Sequence, residues 1–312
     1  MKIACIGEAM VEVALSGPNG AAKVGFAGDV LNTAIYLRRA LGEGHEVAFV
    51  SMIGRDSLSD QMAAFIAEQG IATAHLARHP TRVPGLYTIA TDAVGERSFA
   101  YWRDTSAARA MFDYPAALVP LLGFDLVYLS AITLAILPEP ARQGLFAILT
   151  QLRAKGGQVV FDSNHRPRLW HDLATAQRVV EQAWRCCDIG LPSLDDEMAL
   201  FGDTSPAQVQ ARLTGWGVAQ GALKCGALGP VALGQGWGAG VTFTKAPRVV
   251  DTTAAGDSFN GGYLGALVSG QGPKAAALAG HAFARAVVQQ RGAIVPPADW
   301  VRELAASVGE IC

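Results

Sequence analysis

The stretch that decides the fold is residues 248–267, "RVVDTTAAGDSFNGGYLGAL". In it, the small residues and single carboxylate of Ala254-Ala255-Gly256-Asp257 separate a polar segment from an apolar one. Apolar residues then recur at helical spacing. The pattern predicts a helix that begins close to Asp257, with Thr252 and Thr253 as its candidate caps.

A helix that starts here would leave the backbone N–H groups of Ala255, Gly256 and Asp257 unpaired. Unpaired donors and the helix dipole together make such an end an anion site. Small side chains also let a phosphate approach the backbone. Because a carboxylate competes with an anion, we interpret Asp257 as a general base that takes a proton from a hydroxyl beside a transferring phosphoryl group. The alternative is that Asp257 only favours the first helical turn.

Length and composition restrict the possible classes of protein. The chain has 312 residues, of which 51% are hydrophobic and 17% charged, with a net charge of −2. These values allow one large α/β domain or two small ones, and because no Pro/Gly-rich linker divides the chain we expect a single domain, 1–312. The near-neutral charge argues against nucleic acid as a partner, since phosphate binding needs an excess of Lys and Arg. No segment reaches the roughly 20 apolar residues of a membrane span, so we expect no membrane partner. Five cysteines without a CxxC motif predict reduced thiols and a cytoplasmic protein.

Short apolar runs alternate with segments of helical period. The runs predicted to be buried strands are residues 2–7, 46–54, 124–130, 157–164 and 187–193. In "GDVLNTAIYLRRAL", by contrast, apolar residues recur at spacings of three and four, which predicts an amphipathic helix. The alternation predicts an α/β fold with a central, mostly parallel sheet.

Residues 85–103, "GLYTIATDAVGERSFAYWR", break this alternation and predict a hairpin. With a loop at Asp92–Glu96, Tyr87 pairs with Tyr101. One face would then carry Tyr87, Ile89, Phe99, Tyr101 and Arg103. We interpret the hairpin, with a partner strand from "MVEVALSG", as a lid over a small anionic ligand, in segments about 9–27 and 82–105. The alternative is a hairpin stabilised by its own aromatic pairs.

The segment "DTTAAGDSFNGGY" resembles the DTxGAGD motif of the ribokinase-like (PfkB) carbohydrate kinases. "GFAGDVLNTAIYLRRAL" is similar to the first motif of that family, and "FDSNHRPRLW" and "LPSLDDEMALFG" resemble its 2-keto-3-deoxygluconate kinases in particular. The resemblance implies a ribokinase-like three-layer α/β/α fold with a small β lid. It also implies ATP and Mg²⁺ as cofactors and phosphorylation of the sugar acid at its terminal (C6) hydroxyl.

The resemblance assigns roles to particular residues. Asp257 would be the catalytic base, and Ala254, Ala255 and Gly256 would form the anion hole. Ala254 stands where the family usually has Gly, and we expect function to survive because a backbone N–H does not need glycine. The implied sugar contacts are Gly28, Asn32, Tyr87, Tyr101, Arg103 and Arg166. A sugar carboxylate independently needs a guanidinium, although either arginine could instead be a solvated surface charge.

The implied nucleotide contacts are Asn164, Ser193, Lys224, Gly226, Gly229 and His281. The Gly-rich "GALKCGALGPVALG" is also typical of a simple turn, and His281 of an ordinary core histidine. The family's NxxE motif is altered here to Ser193-Leu194-Asp195-Asp196. We expect Asp196 to organise Mg²⁺ through water, with Asp195 and Glu197 as alternatives.

Several motifs do not occur in the chain. The sequence has no GxxxxGK[ST] and no GxGxxG after its first strand, which argues against a P-loop enzyme and a nicotinamide dehydrogenase. It has no HExxH or paired Cys/His spacing that would indicate a protein-held transition metal. The remaining alternatives are a kinase of 2-keto-3-deoxygalactonate, fructose or ribose, and a non-catalytic sugar or nucleotide sensor. The open edges of a two-stranded lid predict a homodimer formed through the lid.

Overall fold

The computed structural model describes residues 1–16, 21–91, 97–234, 236–238 and 240–300. The predicted hairpin loop Asp92–Glu96 lies outside these ranges. The strands are β1 Lys2–Ile6, β2 Met10–Ser16, β3 Ala21–Ala27, β4 Glu46–Ile53, β5 Leu76–Arg78, β6 Gly85–Thr91, β7 Arg97–Trp102, β8 Leu126–Ser130, β9 Gln158–Asp162, β10 Ile189–Gly190, β11 Gln220–Lys224 and β12 Pro230–Gly234. The α-helices are α1 Asp29–Ala40, α2 Ser57–Glu68, α3 Ala131–Ile136, α4 Glu139–Ala154, α5 Leu173–Arg185, α6 Leu194–Phe201, α7 Pro206–Gly215, α8 Ala255–Val268 and α9 Pro273–Val287.

The main sheet has the strand order β12-β11-β10-β9-β8-β1-β4-β5. Every pairing in it is parallel except that of β11 with β12. Each of the five runs predicted to be buried strands contributes one strand to this sheet, so that prediction is confirmed.

Side chains that alternate along the central strands enter two separate cores. Ala4 and Ile6 of β1 pack in the core formed with α4 and α5. Ile3 and Cys5 of the same strand pack in the core formed with α1 and α8. Helices therefore cover both faces of the sheet, and the three-layer α/β/α architecture is confirmed.

Glycines inside α8 let this helix pack closely against α1. A Cβ atom on Gly261 would lie 2.6 Å from the Cβ of Tyr36, and one on Gly265 would lie 2.3 Å from the Cβ of Ala40. Glycine normally weakens a helix interior, by about 1 kcal/mol relative to alanine. Here it permits the contact that fixes the N-terminus of α8 beside the N-terminus of α1.

A second sheet, which we call the lid sheet, has the order β3-β2-β6-β7. The predicted register is confirmed, because Tyr87 pairs with Tyr101 across β6 and β7. The ring centroids of this pair are 5.7 Å apart, and Phe99 lies 6.4 Å from each of the two rings. The predicted partner strand, β2, pairs with β6 of the hairpin. A fourth strand, β3, pairs with the other edge of β2. Within the described residues, no helix has the length and apolar character of a bilayer span.

Candidate active site

The start of α8 differs from the prediction in its hydrogen bonds. The amide of Ala255 already donates to the carbonyl of Thr252 at 3.2 Å, so this predicted donor is not available to an anion. In the described part of the chain, the amides of Gly256 and Asp257 have no partner. Within the helix, the predicted anion hole is therefore reduced to these two N–H groups, which the first turn orients together. The amide of Ala254 at the N-cap also has no partner in the described residues.

Neither of the two threonines caps α8. The N-cap is Ala254, which offers no side-chain acceptor, and the hydroxyl of Thr253 donates instead to Asp251 at 2.7 Å. Ala254 adopts a left-handed conformation, with φ 60° and ψ 17°. Among the described residues it is the only non-glycine with positive φ. The family's glycine at this position thus has a conformational reason, which the argument from the N–H group alone did not include.

The Asp257 carboxylate turns towards α1. Asn32 donates from Nδ2 to Asp257 Oδ2 at 2.8 Å. Burial raises the pKa of Asp257 to about 8, and the neighbouring carboxylates of Asp29 and Asp162 add to the shift, while Asn32 and Lys224 oppose it. A carboxyl group that only supported its own helix would not need this cross-helix contact. The arrangement suits a group that accepts a proton near neutral pH.

Lys224 lies at the same helix end. Its Nζ is 3.0 Å from Asp162 Oδ2 and 3.0 Å from Asn260 Oδ1. A Cβ atom built on Gly256 would lie 3.6 Å from this Nζ, so the ammonium is beside the amides of the anion hole. The ammonium group therefore adds a positive charge to the two N–H donors.

Asp162 and Asn260 were not singled out by the sequence analysis, although both carried a signal. Asp162 lies near the end of a predicted strand and is the last residue of β9, at the carboxyl edge where α/β sheets bind ligands. Asn260 follows Asp257 by three residues and so lies on the same face of α8. Its amide donates to Asp162 at 2.7 Å, which closes the network around Lys224.

A cavity of about 530 Å³ adjoins the anion hole. Four residues of the implied nucleotide set line it, namely Lys224, Gly226, Gly229 and His281, together with Ala255 and Gly256 of the helix start. Much of the remaining lining is apolar, including Val249, Phe259 and Val288. A pocket of this size and character suits a nucleotide base, with its phosphates towards α8.

The other two residues of the implied nucleotide set do not line this cavity. Asn164 donates from Nδ2 to Asp29 Oδ2 at 2.9 Å. It therefore faces α1 and the predicted general base, Asp257, and not the cavity. The amide of Ser193 donates to the hydroxyl of Ser163 at 3.1 Å. For these two residues the assignment to nucleotide binding has no support in the cavity geometry.

His281 lies on α9 at the rim of the cavity. Its Nε2 is 2.7 Å from the carbonyl oxygen of Thr244, and its ring centroid is 5.1 Å from that of Phe243. Burial lowers the pKa of His281, so the imidazole is neutral at neutral pH. A neutral ring packed against an aromatic one adds apolar surface beside the cavity.

Near Asp257, the lid sheet contributes a buried tyrosine, Tyr87. The hydroxyl of Tyr87 donates to Oε2 of Glu12, and burial together with this carboxylate raises the pKa of Tyr87. Tyr101 stacks on Tyr87 but is about half exposed. Glu12 was not predicted as a site residue; its place in the strand next to the Tyr87 strand was the available signal.

Arg103 does not lie free on the lid face. Its guanidinium is buried and forms an ion pair with Glu8, which is also buried. Arg103 Nε and Glu8 Oε1 are buried without a hydrogen-bond partner. Because Arg103 already holds a carboxylate, its predicted role as a clamp for the sugar acid is shared with a group inside the protein. The alternative of a solvated surface charge is wrong for this residue.

Arg166 is the more exposed of the two arginines, with 54% of its side chain accessible. It donates to the carbonyl of His165 at 2.8 Å and lies 3.5 Å from Asp196 Oδ1. Arg166 therefore stands beside the acid that was predicted to organise the metal.

The three acids of the altered NxxE motif face different surroundings. Asp195 lines the cavity, and burial raises the pKa of Asp196 to about 6. Glu197 is fully buried and lies 3.0 Å from Arg212, so it belongs to the core of the protein. The described residues contain no cluster of three or more His, Cys, Asp or Glu side chains suited to a metal. Mg²⁺ is commonly held by one or two carboxylates, water and substrate phosphates, and Asp196 fits that arrangement.

Comparison with known proteins now identifies the family. The profile of the pfkB family carbohydrate kinases matches residues 1–300 of the chain. The chain belongs to this family. It is a sugar kinase, and it is 42% identical over 302 residues to the 2-dehydro-3-deoxygluconokinase of Escherichia coli K12, a match that covers 95% of this chain and 97% of that enzyme.

Two solved structures share the fold. A PfkB protein from Polaromonas sp. JS666 superposes with a TM-score of 0.78 at 28% identity, covering 92% of this chain and 95% of that one. A fructokinase from Vibrio cholerae O395, solved with fructose, ADP and a calcium ion, gives a TM-score of 0.82 at 23% identity over 97% of this chain and 98% of that one. The fold is ribokinase-like, as the resemblance implied.

Proposed function

We propose that this sugar kinase transfers the γ-phosphoryl group of ATP to the C6 hydroxyl of 2-keto-3-deoxygluconate, which is the same compound as 2-dehydro-3-deoxygluconate. The products are 2-keto-3-deoxy-6-phosphogluconate and ADP. The observation that carries the proposal is the meeting of the Asp257 carboxylate with two unpaired amides at one helix start, between an apolar cavity and the lid. The likeness to the E. coli enzyme supports the choice of sugar.

In the proposed mechanism, the C6 hydroxyl gives its proton to Asp257 as its oxygen attacks the γ-phosphorus. The new O–P bond forms while the bond from the γ-phosphorus to the bridging oxygen of ADP breaks. The amides of Gly256 and Asp257 and the ammonium of Lys224 hold the charge on the transferring group. Mg²⁺, when bound, would neutralise phosphate charge, and we expect Asp196 to hold it through water.

The lid gives the sugar a second wall. Tyr87 and Tyr101 form one stacked surface on the lid sheet. We infer that this surface covers the sugar and excludes water from the phosphoryl group, which limits hydrolysis of ATP. Arg166, and Arg103 held by Glu8, are the guanidinium groups we assign to the sugar carboxylate.

A coupled ADP-release assay with ATP and Mg²⁺ tests the choice of sugar. The panel contains 2-keto-3-deoxygluconate, 2-keto-3-deoxygalactonate, fructose and ribose. We expect the highest kcat/KM for 2-keto-3-deoxygluconate. A higher kcat/KM for another sugar would make that sugar the substrate. If a sugar of the panel binds but none is phosphorylated, the non-catalytic sensor is favoured.

We further propose a homodimer formed through the lid sheet. Its edge strands are β3 and β7, and each carries an exposed large apolar side chain, Val24 and Trp102. Exposed edges with apolar side chains favour pairing with another copy. Sedimentation equilibrium should give twice the chain mass for the wild type and less for a Val24→Asp, Trp102→Asp double variant. A wild-type protein that sediments as a monomer would contradict the proposal.

A further inference from the structure

Asp29 lies beside the catalytic base although no sequence motif singled it out. It is in the first turn of α1, three residues before Asn32, and residues three apart share a helix face. Asn32 is the residue that donates to Asp257. Asp29 is thus on the face of α1 that looks towards the site of proton transfer.

Two hydrogen bonds from other strands fix the Asp29 carboxylate. The hydroxyl of Ser130, at the end of β8, and the amide of Asn164, just beyond β9, both donate to Oδ2. In the described residues, nothing donates to Oδ1 and no basic side chain pairs with Asp29. Asp29 also does not cap its own helix, because the N-cap position is occupied by Gly28. The side chain is oriented, half-buried, and left with one acceptor oxygen.

An acid at this place has an electrostatic cost. The Asp29 carboxylate helps raise the pKa of Asp257, which opposes formation of the base. A residue needed only to satisfy Ser130 and Asn164 could be a neutral amide. A carboxylate accepts a hydroxyl proton more strongly than an amide oxygen does, because charge-assisted hydrogen bonds are roughly twice as strong.

We propose that Asp29 is a substrate-binding residue whose Oδ1 accepts a hydrogen bond from a secondary hydroxyl of the sugar, within one or two carbons of the reacting oxygen. The proposal deepens the proposed function and rests on it. The hydroxyl contact places the sugar chain so that its terminal oxygen meets Asp257. Asp29 thereby selects substrates that carry a hydroxyl at this position, and it does so from the helix rather than from the lid.

The test uses Asp29→Asn in the full chain, with Glu43→Gln as a control for loss of an exposed negative charge. We expect KM for the sugar to rise by about tenfold or more, the usual effect of losing a charge-assisted hydrogen bond, while KM for ATP stays within about twofold. A substrate analogue that lacks the contacted hydroxyl should bind the wild type more weakly. The same analogue should bind Asp29→Asn no more weakly than the natural sugar does.

The pH profile measures how the Asp29 charge acts on Asp257, separately from any contact of Asp29 with the sugar. The groups that face Asp257 are Asp29 and Tyr36 of α1, Asp162 of β9, Lys224 of β11, Tyr128 of β8 and Tyr87 of the lid. Removing the Asp29 charge should shift the acid limb of kcat/KM to lower pH, and Glu43→Gln should not shift it.

An unchanged sugar KM in a folded Asp29→Asn variant would overturn the proposal, whatever the pH profile does. The proposal would also be overturned if Asp29→Asn weakened binding of the natural sugar and of the deoxy analogue by the same factor. Failure of the proposed function is seen separately, because the wild-type panel then identifies another sugar. The comparison of variants is made with whichever sugar the wild type prefers.

Discussion

The region we assign to the sugar, which comprises the lid sheet and the start of α1, is built from different groups than the region we assign to the nucleotide, which is the cavity beside α8. On the sugar side, polar and charged side chains from distant parts of the chain hold one another, through the hydrogen bond of Asn32 to Asp257 and the ion pair of Glu8 with Arg103. On the nucleotide side, glycines and apolar side chains make up most of the lining of a cavity of about 530 Å³, which also includes Asp195 and Lys224. The difference indicates where selectivity resides. Side-chain charges can distinguish one sugar from another, whereas a backbone-lined apolar pocket accepts a nucleotide shared by many kinases.

Asp257→Asn should give the largest effect, because it removes the group that the sugar side is built around. We expect kcat to fall by about 100-fold or more, the usual contribution of a general base. In the wild type, kcat/KM should rise with pH towards about 8, the pKa of Asp257 in the ligand-free protein. Steady-state kinetics from pH 5.5 to 9 measure both, and calorimetric ATP binding shows that the nucleotide side remains intact.

The same variant should unfold at a higher temperature. The folded-state pKa of Asp257 is raised from 3.8 to about 8, so in that window the folded protein binds more protons than the unfolded chain. Its free energy of unfolding therefore falls as pH rises through the window. Asparagine has no such dependence, and the gain in Tm over the wild type should grow with pH. Near-normal turnover in the folded variant would remove Asp257 as the base.

Replacing each of the two arginines assigned to the sugar carboxylate should change the free energy of unfolding by different amounts. Arg103→Ala leaves Glu8 buried and unpaired, which typically costs about 3–5 kcal/mol. Arg166 is more than half exposed and Asp196 is only partly buried, so Arg166→Ala should cost much less. Both variants should raise KM for the sugar acid by about 10- to 100-fold, from the loss of a charge-assisted hydrogen bond. A neutral sugar should be affected much less.

Arg168→Ala is the matched control for this pair, because Arg168 is exposed in the same loop as Arg166. Thermal unfolding and KM for the acidic and neutral sugars are measured for all three variants. Equal losses for the two sugars in Arg103→Ala and Arg166→Ala would exclude the carboxylate clamp.

The sequence allowed the local features of the sugar side to be predicted, because they follow from period and motif. The register of β6 with β7 follows from the alternation of side chains, and the start of α8 from its small residues. The partner of Arg103 could not be predicted in this way. Glu8 is 95 residues away in sequence, and only the tertiary arrangement brings the two charges together.

The nucleotide side was harder to predict for a different reason. Glycine-rich turns such as the one at Gly226 and Gly229 occur in many proteins, since backbone groups leave little trace in the residue types. The assignments of Asn164 and Ser193 rested on resemblance alone, and neither residue lines the cavity. The strained conformation of Ala254 likewise could not be deduced from a residue type that usually avoids it.

Gly229→Ala tests the nucleotide side with a smaller expected effect. Gly229 has φ +81°, and a Cβ atom there would lie 2.8 Å from side-chain carbons of Phe243, which borders His281. Overpacking of this kind typically costs about 1–3 kcal/mol, so KM for ATP should rise by roughly tenfold. KM for the sugar should not change.

The control for this variant is Gly44→Ala, which has a similar φ of +98° but open space around the added Cβ atom. It carries the backbone strain without the clash at the cavity. Equal changes in the ATP KM of the two variants would show that the position of Gly229 beside the cavity has no functional meaning.

Ala254→Gly should have the smallest effect, and its direction is informative. Left-handed backbone costs a non-glycine residue about 1–2 kcal/mol, and the greater entropy of glycine in the unfolded chain offsets about 0.4–1 kcal/mol of that relief. We therefore expect the free energy of unfolding to rise by up to about 1.6 kcal/mol, with kcat unchanged. Ala64→Gly, at an exposed position inside α2, is the matched control and should lower it by about 1 kcal/mol. Denaturant unfolding measures both. A loss of stability in Ala254→Gly would mean that the start of α8 is not strained, and a loss of kcat would mean that the stiffness of alanine helps to hold the amides of Gly256 and Asp257 towards the phosphoryl group.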